Sequence, residues 1–283
     1  MERRIKLLTF QRITSVAFQG ERGAYSEQAA RKFFKKKIAL LPVPTFEGVF
    51  KLVSKRKADA GIVPIENSLQ GSVLENYDHL QHFHVCIIGE VKLRIVHHLM
   101  ANRGATLRTI RTVYSHPQAL GQCGSFLRRL RNVECISYYD TAGAAKFVSG
   151  KKPFKAAAIA SAEAAKAYGL KILARSVENN RKNYTRFLLL ARSPVSTSVR
   201  AKTSIIFAVK NIPGSLYWAL RAFALRRINL HKIESRPVIG KPWKYFFYLD
   251  CDGSVDDGPC AEAIKDLRKI GTYVKVLGSY PQG

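Results

Sequence analysis

The stretch that decides the fold reads Asn183-Tyr184-Thr185-Arg186-Phe187 and continues as Leu188-Leu189-Leu190. The apolar run after this polar beginning predicts a buried strand. Because successive side chains of a strand point to opposite faces, Thr185 and Phe187 should share one face and Arg186 should take the other. A hydroxyl group would then lie beside an aromatic wall. Strand packing is the simpler interpretation of this pair, since Thr and Phe are both common in strands.

The overall composition is that of a globular protein. The 283 residues are 47% hydrophobic, and apolar stretches occur along the whole chain, which predicts one large domain or two to three smaller ones. No run approaches the length of a membrane-spanning helix, so no membrane partner is expected. The basic amino terminus lacks the apolar core and cleavage site of a signal peptide. We therefore expect a cytoplasmic protein, and a mature organellar form would have the same features.

The cysteines predict neither a disulfide framework nor a zinc site, because their number is odd and no C-x-x-C pair occurs. They are Cys86, Cys123, Cys135, Cys251 and Cys260. Free thiols fit a reducing compartment. No metal ion and no cofactor are expected.

The net charge of +27 makes nucleic acid the first partner to consider. The basic residues lie in short clusters, such as Lys35-Lys36-Lys37 and Arg128-Arg129-Leu130-Arg131, and no RNA-binding motif or zinc finger accompanies them. Solvated surface explains such clusters better, so no nucleic-acid partner is expected. A basic surface would also raise the local concentration of an anionic substrate.

Strands alternate with helices through the first two thirds of the chain, which predicts a mainly parallel sheet with flanking helices. Three polar loops follow predicted strands, and open α/β sheets hold ligands at such positions. The candidate residues are Gly23 and Ser26 in the first loop, Asn67 and Ser68 in the second, and Ser115 and Gln122 in the third. Glycines let the backbone approach a ligand, and helix starts at Ser26, Ser68 and Pro117 would attract an anion. These loops imply two lobes with a cleft between them.

His116, in the third loop, is a possible general base by residue type. Its position directly before Pro117 favours a helix-capping role instead, because proline is common at the first helical position. Nothing in the sequence pattern supplies a carboxylate that would orient this histidine as a base.

The pattern restarts after a linker over residues 193–198. The order strand, helix, strand, strand, helix, strand predicts an α+β ferredoxin-like domain of about 80 residues. A turn containing Asn211, Pro213 and Gly214 precedes its first helix, where free N–H groups can bind a carboxylate. Glu234 and Ser235 end the next strand, within reach of an ammonium group. The simpler interpretation is a shaped turn and a solvated charge.

Six motifs occur in the order found in one known family. They are Phe18-Gln19-Gly20 with Gly23-Ala24-Tyr25-Ser26-Glu27, Pro64-Ile65-Glu66-Asn67-Ser68 with Gly71, Ser115-His116-Pro117-Gln118 with Gln122, Asn183-Tyr184-Thr185-Arg186-Phe187, Pro213-Gly214-Ser215-Leu216, and Glu234-Ser235-Arg236-Pro237. On these motifs the chain resembles the monofunctional prephenate dehydratases with a C-terminal ACT regulatory domain, and no chorismate mutase segment is expected. The resemblance implies a two-lobed, type II periplasmic-binding-protein-like domain over residues 14–193, with crossings near residues 96 and 175. It implies an ACT domain over residues 202–280.

The resemblance also implies an activity: decarboxylating dehydration of prephenate to phenylpyruvate in phenylalanine biosynthesis, without metal or cofactor. Thr185 is the implied catalytic residue. The implied substrate-binding residues are Gly23, Ser26, Asn67, Ser68, Ser115, Gln122 and Phe187. Because aromatisation drives this reaction, Thr185 would polarise the leaving hydroxyl by donating a hydrogen bond, without ionising.

Regulation and assembly are further implications of the resemblance. L-Phenylalanine is the implied effector, and a homodimer or homotetramer is the implied assembly. The implied effector residues are Asn211, Pro213, Gly214, Leu216, Glu234 and Ser235. Ser215 stands where alanine is commoner in the family, and Arg227 where glycine is frequent.

Two alternative functions remain open on the sequence. The first is arogenate dehydratase, which carries out the same ring chemistry on the amino-acid analogue of prephenate. The sequences at residues 23–27 and 140–145 also occur in those enzymes. The second is a non-catalytic amino-acid-binding sensor, which would be expected to lose its hydroxyl-bearing site residues. Thr185 is present, which counts against the sensor.

Overall fold

The computed structural model describes residues 10–150, 155–195, 200–238 and 240–283. The basic residues 1–9 and residues 196–198 of the predicted linker lie outside these ranges. The strands are β1 (Ser15–Gln19), β2 (Ala39–Val43), β3 (Ala60–Asn67), β4 (Gly71–Ser72), β5 (Cys86–Arg94), β6 (His98–Ala101), β7 (Thr112–Ser115), β8 (Glu134–Ser137), β9 (Ala156–Ala160), β10 (Lys171–Ala174), β11 (Tyr184–Ala191), β12 (Ala201–Ala208), β13 (Leu230–Pro237), β14 (Tyr245–Asp252) and β15 (Tyr273–Pro281).

Helices connect most of these strands, and a short 3-10 helix (Phe10–Arg12) precedes β1. The helices are α1 (Tyr25–Phe34), α2 (Phe46–Ser54), α3 (Leu74–His82), α4 (Pro117–Gln122), α5 (Gly124–Leu127), α6 (Thr141–Gly150), α7 (Ala162–Ala167), α8 (Ser215–Ala224) and α9 (Gly258–Ile270). Across the ranges that the structure describes, no helix combines the length and apolar character needed to cross a bilayer.

Two sheets form the two lobes. The first has the order β2-β1-β3-β11-β5, with β4 beside β3, and the second has the order β10-β6-β9-β7-β8. The chain leaves the first sheet after Arg94, enters the second at His98, and returns between Ala174 and Tyr184. The first lobe is therefore built from two separate parts of the sequence.

The prediction of a mainly parallel sheet is wrong, because both sheets are mixed. In the first lobe β1 runs parallel to β2 and β3, but β11 runs antiparallel to β3 and β5. In the second lobe β7 is parallel to β8 and β9, whereas β6 is antiparallel to β9. Strand β11 follows the second lobe in the sequence and lies between β3 and β5 in the first sheet. The alternation of strands and helices in the preceding segments therefore does not fix its direction.

Strand β11 is buried on both faces, which explains its unbroken apolar run. Phe187 and Leu189 pack in a cluster with residues of both lobes. Leu188 and Leu190 pack in a second cluster that includes Tyr248 and other residues from the C-terminal part of the chain. One face of β11 thus packs in the core shared by the two lobes, and its other face packs in the core between the first lobe and the C-terminal domain.

The C-terminal sheet is ferredoxin-like. Its order is β13-β14-β12-β15, its pairings are all antiparallel, and α8 and α9 pack together on one face. The opposite face packs on the first lobe. At Gly278 this contact is so close that a Cβ atom would lie 2.2 Å from the carbonyl oxygen of Ile87. The predicted fold class, a two-lobed periplasmic-binding-protein-like α/β domain with an α+β ferredoxin-like domain, is confirmed.

Candidate functional site

A cleft of about 400 Å³ lies between the two lobes. Of the predicted site residues, five line it: Ser26, Asn67, Gln122, Thr185 and Phe187. The predicted alternation of β11 is confirmed, since Thr185 and Phe187 face the cleft while Arg186 forms ion pairs on the opposite side.

Thr185 and Asn67 form the centre of the cleft wall, because β3 and β11 are paired with these two residues in register. Backbone N–H groups of Leu69 and Gln70 donate to Asn67 Oδ1, so its Nδ2 faces β11. That Nδ2 donates to Thr185 Oγ1 at 2.9 Å. The threonine oxygen is thus used as an acceptor, and its proton is free to be donated into the cleft.

A chain of polar contacts continues from Asn67 across the cleft. Asn67 Nδ2 donates to Asn183 Oδ1 at 2.8 Å, and Asn183 Nδ2 donates to Gln122 Oε1 at 2.7 Å. The same Gln122 oxygen lies 3.0 Å from His97 Nε2. Since Gln122 belongs to the second lobe and His97 lies on the crossing that leads into it, this chain of side chains links the lobes beside the cleft.

Three further polar residues beside the cleft were not predicted as site residues: Tyr25, His97 and Asn183. The Tyr25 hydroxyl lies 2.9 Å from both His97 Nδ1 and the carbonyl oxygen of Val96. Burial lowers the pKa of His97, which favours its neutral form. The position of His97 next to the predicted lobe crossing near residue 96 could have indicated that it lies beside the cleft.

Two predicted substrate-binding serines do not line the cleft. The hydroxyl of Ser115 is fully buried and donates to the carbonyl oxygen of Ile159 at 2.6 Å, which ties β7 to β9. Ser68 donates to the carbonyl oxygen of Lys182 and accepts from the backbone N–H of Tyr184. Both serines fix neighbouring backbone. In addition, no helix begins at Ser68, since the turn there leads into β4.

Gly23 is likewise absent from the cleft lining. A Cβ atom at this position would lie 2.4 Å from the Cα atom of Ala164, so glycine is required for packing between the lobes. The helix start that follows does reach the cleft, because Ser26 in the first turn of α1 lines it. His116 caps α4 by accepting from the backbone N–H of Gln118 at 3.3 Å, which confirms the capping interpretation.

Asp140 is the one carboxylate among the described residues that line the cleft. Its Oδ1 accepts from the backbone N–H of Gly143. Its Oδ2 is buried and has no hydrogen-bond partner within the described ranges. Burial raises the pKa of this carboxyl, and the nearby Glu21 raises it further. An ionised Asp140 is therefore expected to destabilise the folded protein.

We expect Asp140→Asn to raise the urea midpoint at pH 8, because burial and the nearby Glu21 raise the pKa of the native carboxyl and so disfavour its ionised form. Because the folded-state pKa is raised, protonation favours folding, so the gain should shrink as pH falls through that pKa. Asp59→Asn is the control, and it is expected to lower the urea midpoint. Burial alone would raise the pKa of Asp59, but hydrogen bonds from Thr14 and Ser15 hold it below its usual value. Equal midpoints for Asp140→Asn and native protein at pH 8 would contradict the prediction.

The predicted effector residues lie on two different surfaces of the ferredoxin-like domain. Asn211 and Leu216 line a cavity of about 580 Å³ on the ferredoxin-like domain. Gly214, with φ +82°, precedes α8 as its N-cap. Glu234 instead faces the first lobe, where it accepts from the hydroxyl of Ser72 at 2.5 Å. Within one chain, therefore, the two motifs do not meet in a single cavity.

The remaining predicted effector residues, Pro213 and Ser235, are exposed. Ser235 follows Glu234 on β13, so it points to the opposite side of the strand. Neither residue lines the cavity on the ferredoxin-like domain. Their roles in binding stay predictions.

Fold and cleft together define a two-lobed α/β protein with a small-molecule cleft between its lobes and a ferredoxin-like domain packed behind one of them. The family comparison is specific: the model described as prephenate dehydratase matches residues 16–195. The chain belongs to the prephenate dehydratase family, and the resemblance seen in its motifs is confirmed. Membership supports dehydratase chemistry in aromatic amino-acid biosynthesis.

Individual relatives and solved structures are also similar to this chain. "Arogenate dehydratase/prephenate dehydratase 2, chloroplastic" of Arabidopsis thaliana is 45% identical over 278 residues, covering 94% of this chain and 72% of the relative. A prephenate dehydratase solved in complex with L-Phe, from Arthrobacter aurescens, has TM-score 0.86 and 30% identity, covering 94% of this chain and 89% of that one. A structure described as a novel type of quorum quenching acylase has TM-score 0.87 and 33% identity, covering 95% and 98%.

Proposed function

We propose that the chain catalyses the decarboxylating dehydration of prephenate to phenylpyruvate. The observation that carries this proposal is the Thr185 hydroxyl, which lines the cleft and accepts from Asn67, so that its own proton can be donated to a substrate. In the reaction the bond from the ring to its carboxylate breaks and CO₂ leaves. The electron pair enters the ring, and the ring carbon–hydroxyl bond breaks on the other side.

The protein has a limited task in this reaction, since aromatisation supplies the driving force. Thr185 donates a hydrogen bond to the departing hydroxyl, whose developing negative charge it stabilises. Asn67 holds the threonine oxygen, so the donor does not have to reorient as the charge develops. Phe187 provides an apolar wall that limits solvation of the ring carboxylate. Gln122 offers a neutral amide for a substrate carboxylate or carbonyl group.

Arogenate is the second candidate substrate, because the Arabidopsis thaliana relative is named for both activities. The ring chemistry would be the same, and only the side chain would carry an amino group in place of the keto group. The product would then be L-phenylalanine directly.

Acyl transfer is less well supported by the geometry. An acylase with a hydroxyl nucleophile needs an adjacent base to take the proton. The side-chain partner of Thr185 is the Asn67 amide nitrogen, which donates and cannot accept a proton. A non-catalytic sensor is disfavoured for a related reason, because binding alone would not require a hydroxyl group held in this donating arrangement.

The decisive experiment is an assay of the purified chain with each substrate. Phenylpyruvate formed from prephenate and L-phenylalanine formed from arogenate are measured separately, and the ratio of kcat/KM values assigns the preferred substrate. Thr185→Ala serves as the control for contaminating activity. Absence of product from both substrates would refute the proposed function.

We further propose that L-phenylalanine regulates this activity through the ferredoxin-like domain, acting as an ACT domain in a homodimer or homotetramer. Exposed apolar side chains on that domain support association of copies. They include Ile212, Tyr217, Trp218, Leu225 and Trp243. The contact of Glu234 with Ser72, which lines the cleft, supports coupling between an effector and the active site. The cytoplasmic location stays a prediction from the sequence.

Gly214→Val is expected to abolish L-phenylalanine binding in calorimetry. Gly214 has a positive φ that a β-branched residue adopts poorly, and its Cβ would lie 3.3 Å from Trp218 Nε1, so the free N–H groups at the start of α8 would be displaced. Gly169→Val is the matched control, since Gly169 has φ +67° in the second lobe with open space around it. Native-like binding by Gly214→Val would exclude this helix start as part of the effector site.

A further inference from the structure

The strands that carry the cleft wall have a second face that touches the ferredoxin-like domain. On β3, Asn67 faces the cleft, while its neighbour Glu66 forms an ion pair with Lys232 of β13 at 3.1 Å. On β11, Thr185 faces the cleft, while Arg186 pairs with Asp250 of β14. This arrangement follows from strand alternation, which sends adjacent side chains to opposite faces. The ferredoxin-like domain therefore lies directly behind the proposed catalytic residues.

The turn between β3 and β4 is held from the same side. Ser72 lines the cleft, and its hydroxyl donates to Glu234 Oε2 at 2.5 Å. Lys232 Nζ donates to the same Ser72 oxygen at 3.0 Å and lies 3.4 Å from Glu234 Oε2. Lys232 and Glu234 alternate with exposed residues on β13, so both point toward the first lobe.

The turn between β3 and β4 also determines how Asn67 is oriented. Glu66 pairs with Ser72 and Asn67 pairs with Gly71 across β3 and β4. Within the turn, the N–H groups of Leu69 and Gln70 donate to Asn67 Oδ1, which directs its Nδ2 to Thr185. A shift of the turn would therefore move the amide that holds the threonine hydroxyl.

We propose that Lys232 and Glu234 are positioning residues for the cleft, acting through Ser72 and the turn on Asn67 and Thr185. Neither residue lines the cleft within the described ranges, so their effect on the reaction is indirect. The inference rests on the proposed dehydratase function for its kinetic consequence, but not for its structural one. The ferredoxin-like domain then contributes to the basal reaction, in addition to any response to an effector.

The kinetic test uses Glu234→Gln and Lys232→Met in the full chain without L-phenylalanine. We expect kcat to fall on the order of tenfold for each, because small displacements of catalytic groups are costly. The unfolding midpoint of Glu234→Gln should change little, since the Glu234 side chain is partly exposed. Lys232 is more buried, so the kcat of Lys232→Met is compared at a temperature where its measured midpoint shows that the variant is folded. Asp78→Asn is the matched control. Asp78 pairs with Arg236 at the same domain interface, through α3, and does not line the cleft.

The expected pattern is a loss of kcat in the two β13 variants and a native kcat in Asp78→Asn. In a Ser72→Ala background, Glu234→Gln should have no further effect, because the contact that transmits it is already absent. Native kcat in Glu234→Gln and Lys232→Met would overturn the proposal. Equal losses in Asp78→Asn would also overturn it, because general domain docking would then explain the result.

A second measurement does not depend on activity. Amide hydrogen exchange at Leu69 and Gln70 reports whether their N–H groups still donate to Asn67. Exchange at these amides should be faster in Glu234→Gln than in the native chain or in Asp78→Asn. Unchanged exchange would overturn the positioning role even if the chain showed no activity on either substrate. A chain that is inactive yet shows the expected exchange would refute only the proposed function.

Discussion

Thr185→Ala is expected to lower kcat for the preferred substrate on the order of 10²-fold or more, as the loss of a transition-state hydrogen-bond donor typically does. The hydroxyl oxygen of Thr185 already accepts from Asn67, so its proton is available for the departing hydroxyl. KM should change much less, because the donor is needed most when negative charge develops on the leaving oxygen. Steady-state kinetics on the purified variant measure both quantities.

Thr185→Ser is the matched control, since it keeps the hydroxyl and removes only a methyl group. We expect it to retain most of the activity that Thr185→Ala loses. Thr185 is buried and lies in a paired strand, so circular dichroism and the unfolding midpoint of both variants must be compared with the native chain. A near-native kcat in a folded Thr185→Ala variant would show that this hydroxyl is not the donor.

The second large effect concerns stability and the residue next to Thr185. Arg186→Leu should lower the free energy of unfolding by about 3–5 kcal/mol, because it removes the cation that pairs with two largely buried carboxylates. Arg186 donates to Glu90 and to Asp250, both at 2.6 Å, and the Glu90 side chain is fully buried. Burial alone would raise the pKa of Glu90, but the charges of Arg186 and Lys202 hold it below its usual value. Removing the arginine therefore leaves Glu90 with Lys202 alone, and it leaves Asp250 without an ion-pair partner among the described residues.

Urea denaturation measures this loss, and Arg226→Leu supplies the comparison. Arg226 pairs with Asp266 at 2.6 Å, but both side chains are partly exposed, so this loss should be much smaller than that of Arg186→Leu. Asp250→Asn combined with Arg186→Leu should recover part of the stability, because Asp250 is the carboxylate that loses its ion-pair partner. Similar losses in Arg186→Leu and Arg226→Leu would contradict the view that burial makes the Arg186 contacts costly to break.

The sequence alone determined the features that depend on the order of neighbouring residues. Alternation along residues 184–187 placed Thr185 and Phe187 on one face and Arg186 on the other, because the side-chain period of a strand is two. The proline after His116 indicated a helix cap, since its fixed φ suits the first helical turn. The βαββαβ order gave the ferredoxin-like domain, and the six motifs gave the family. Asn67 and Gln122 were also found from their polar loops.

Only the tertiary structure decided which groups meet. Ser115 and Ser68 have the residue type and loop position of ligand-binding groups, but their hydroxyls bond to backbone carbonyls of Ile159 and Lys182, far away in the chain. Gly23 is required by the approach of Ala164 from the other lobe. Which hydrogen-bond partner a polar side chain finds depends on segments brought close by packing, and local periodicity carries no information about those segments.

The direction of β11 and the contact between Glu234 and Ser72 have the same origin. Residues 72 and 234 belong to different domains, and their hydrogen bond exists because the sheet of one domain packs on the first lobe of the other. Strand β11 follows the whole second lobe in the sequence, yet it lies between β3 and β5 in the first sheet. The residue pattern therefore determined which faces are buried, whereas the three-dimensional packing determined that the wall of the cleft is backed by the ferredoxin-like domain.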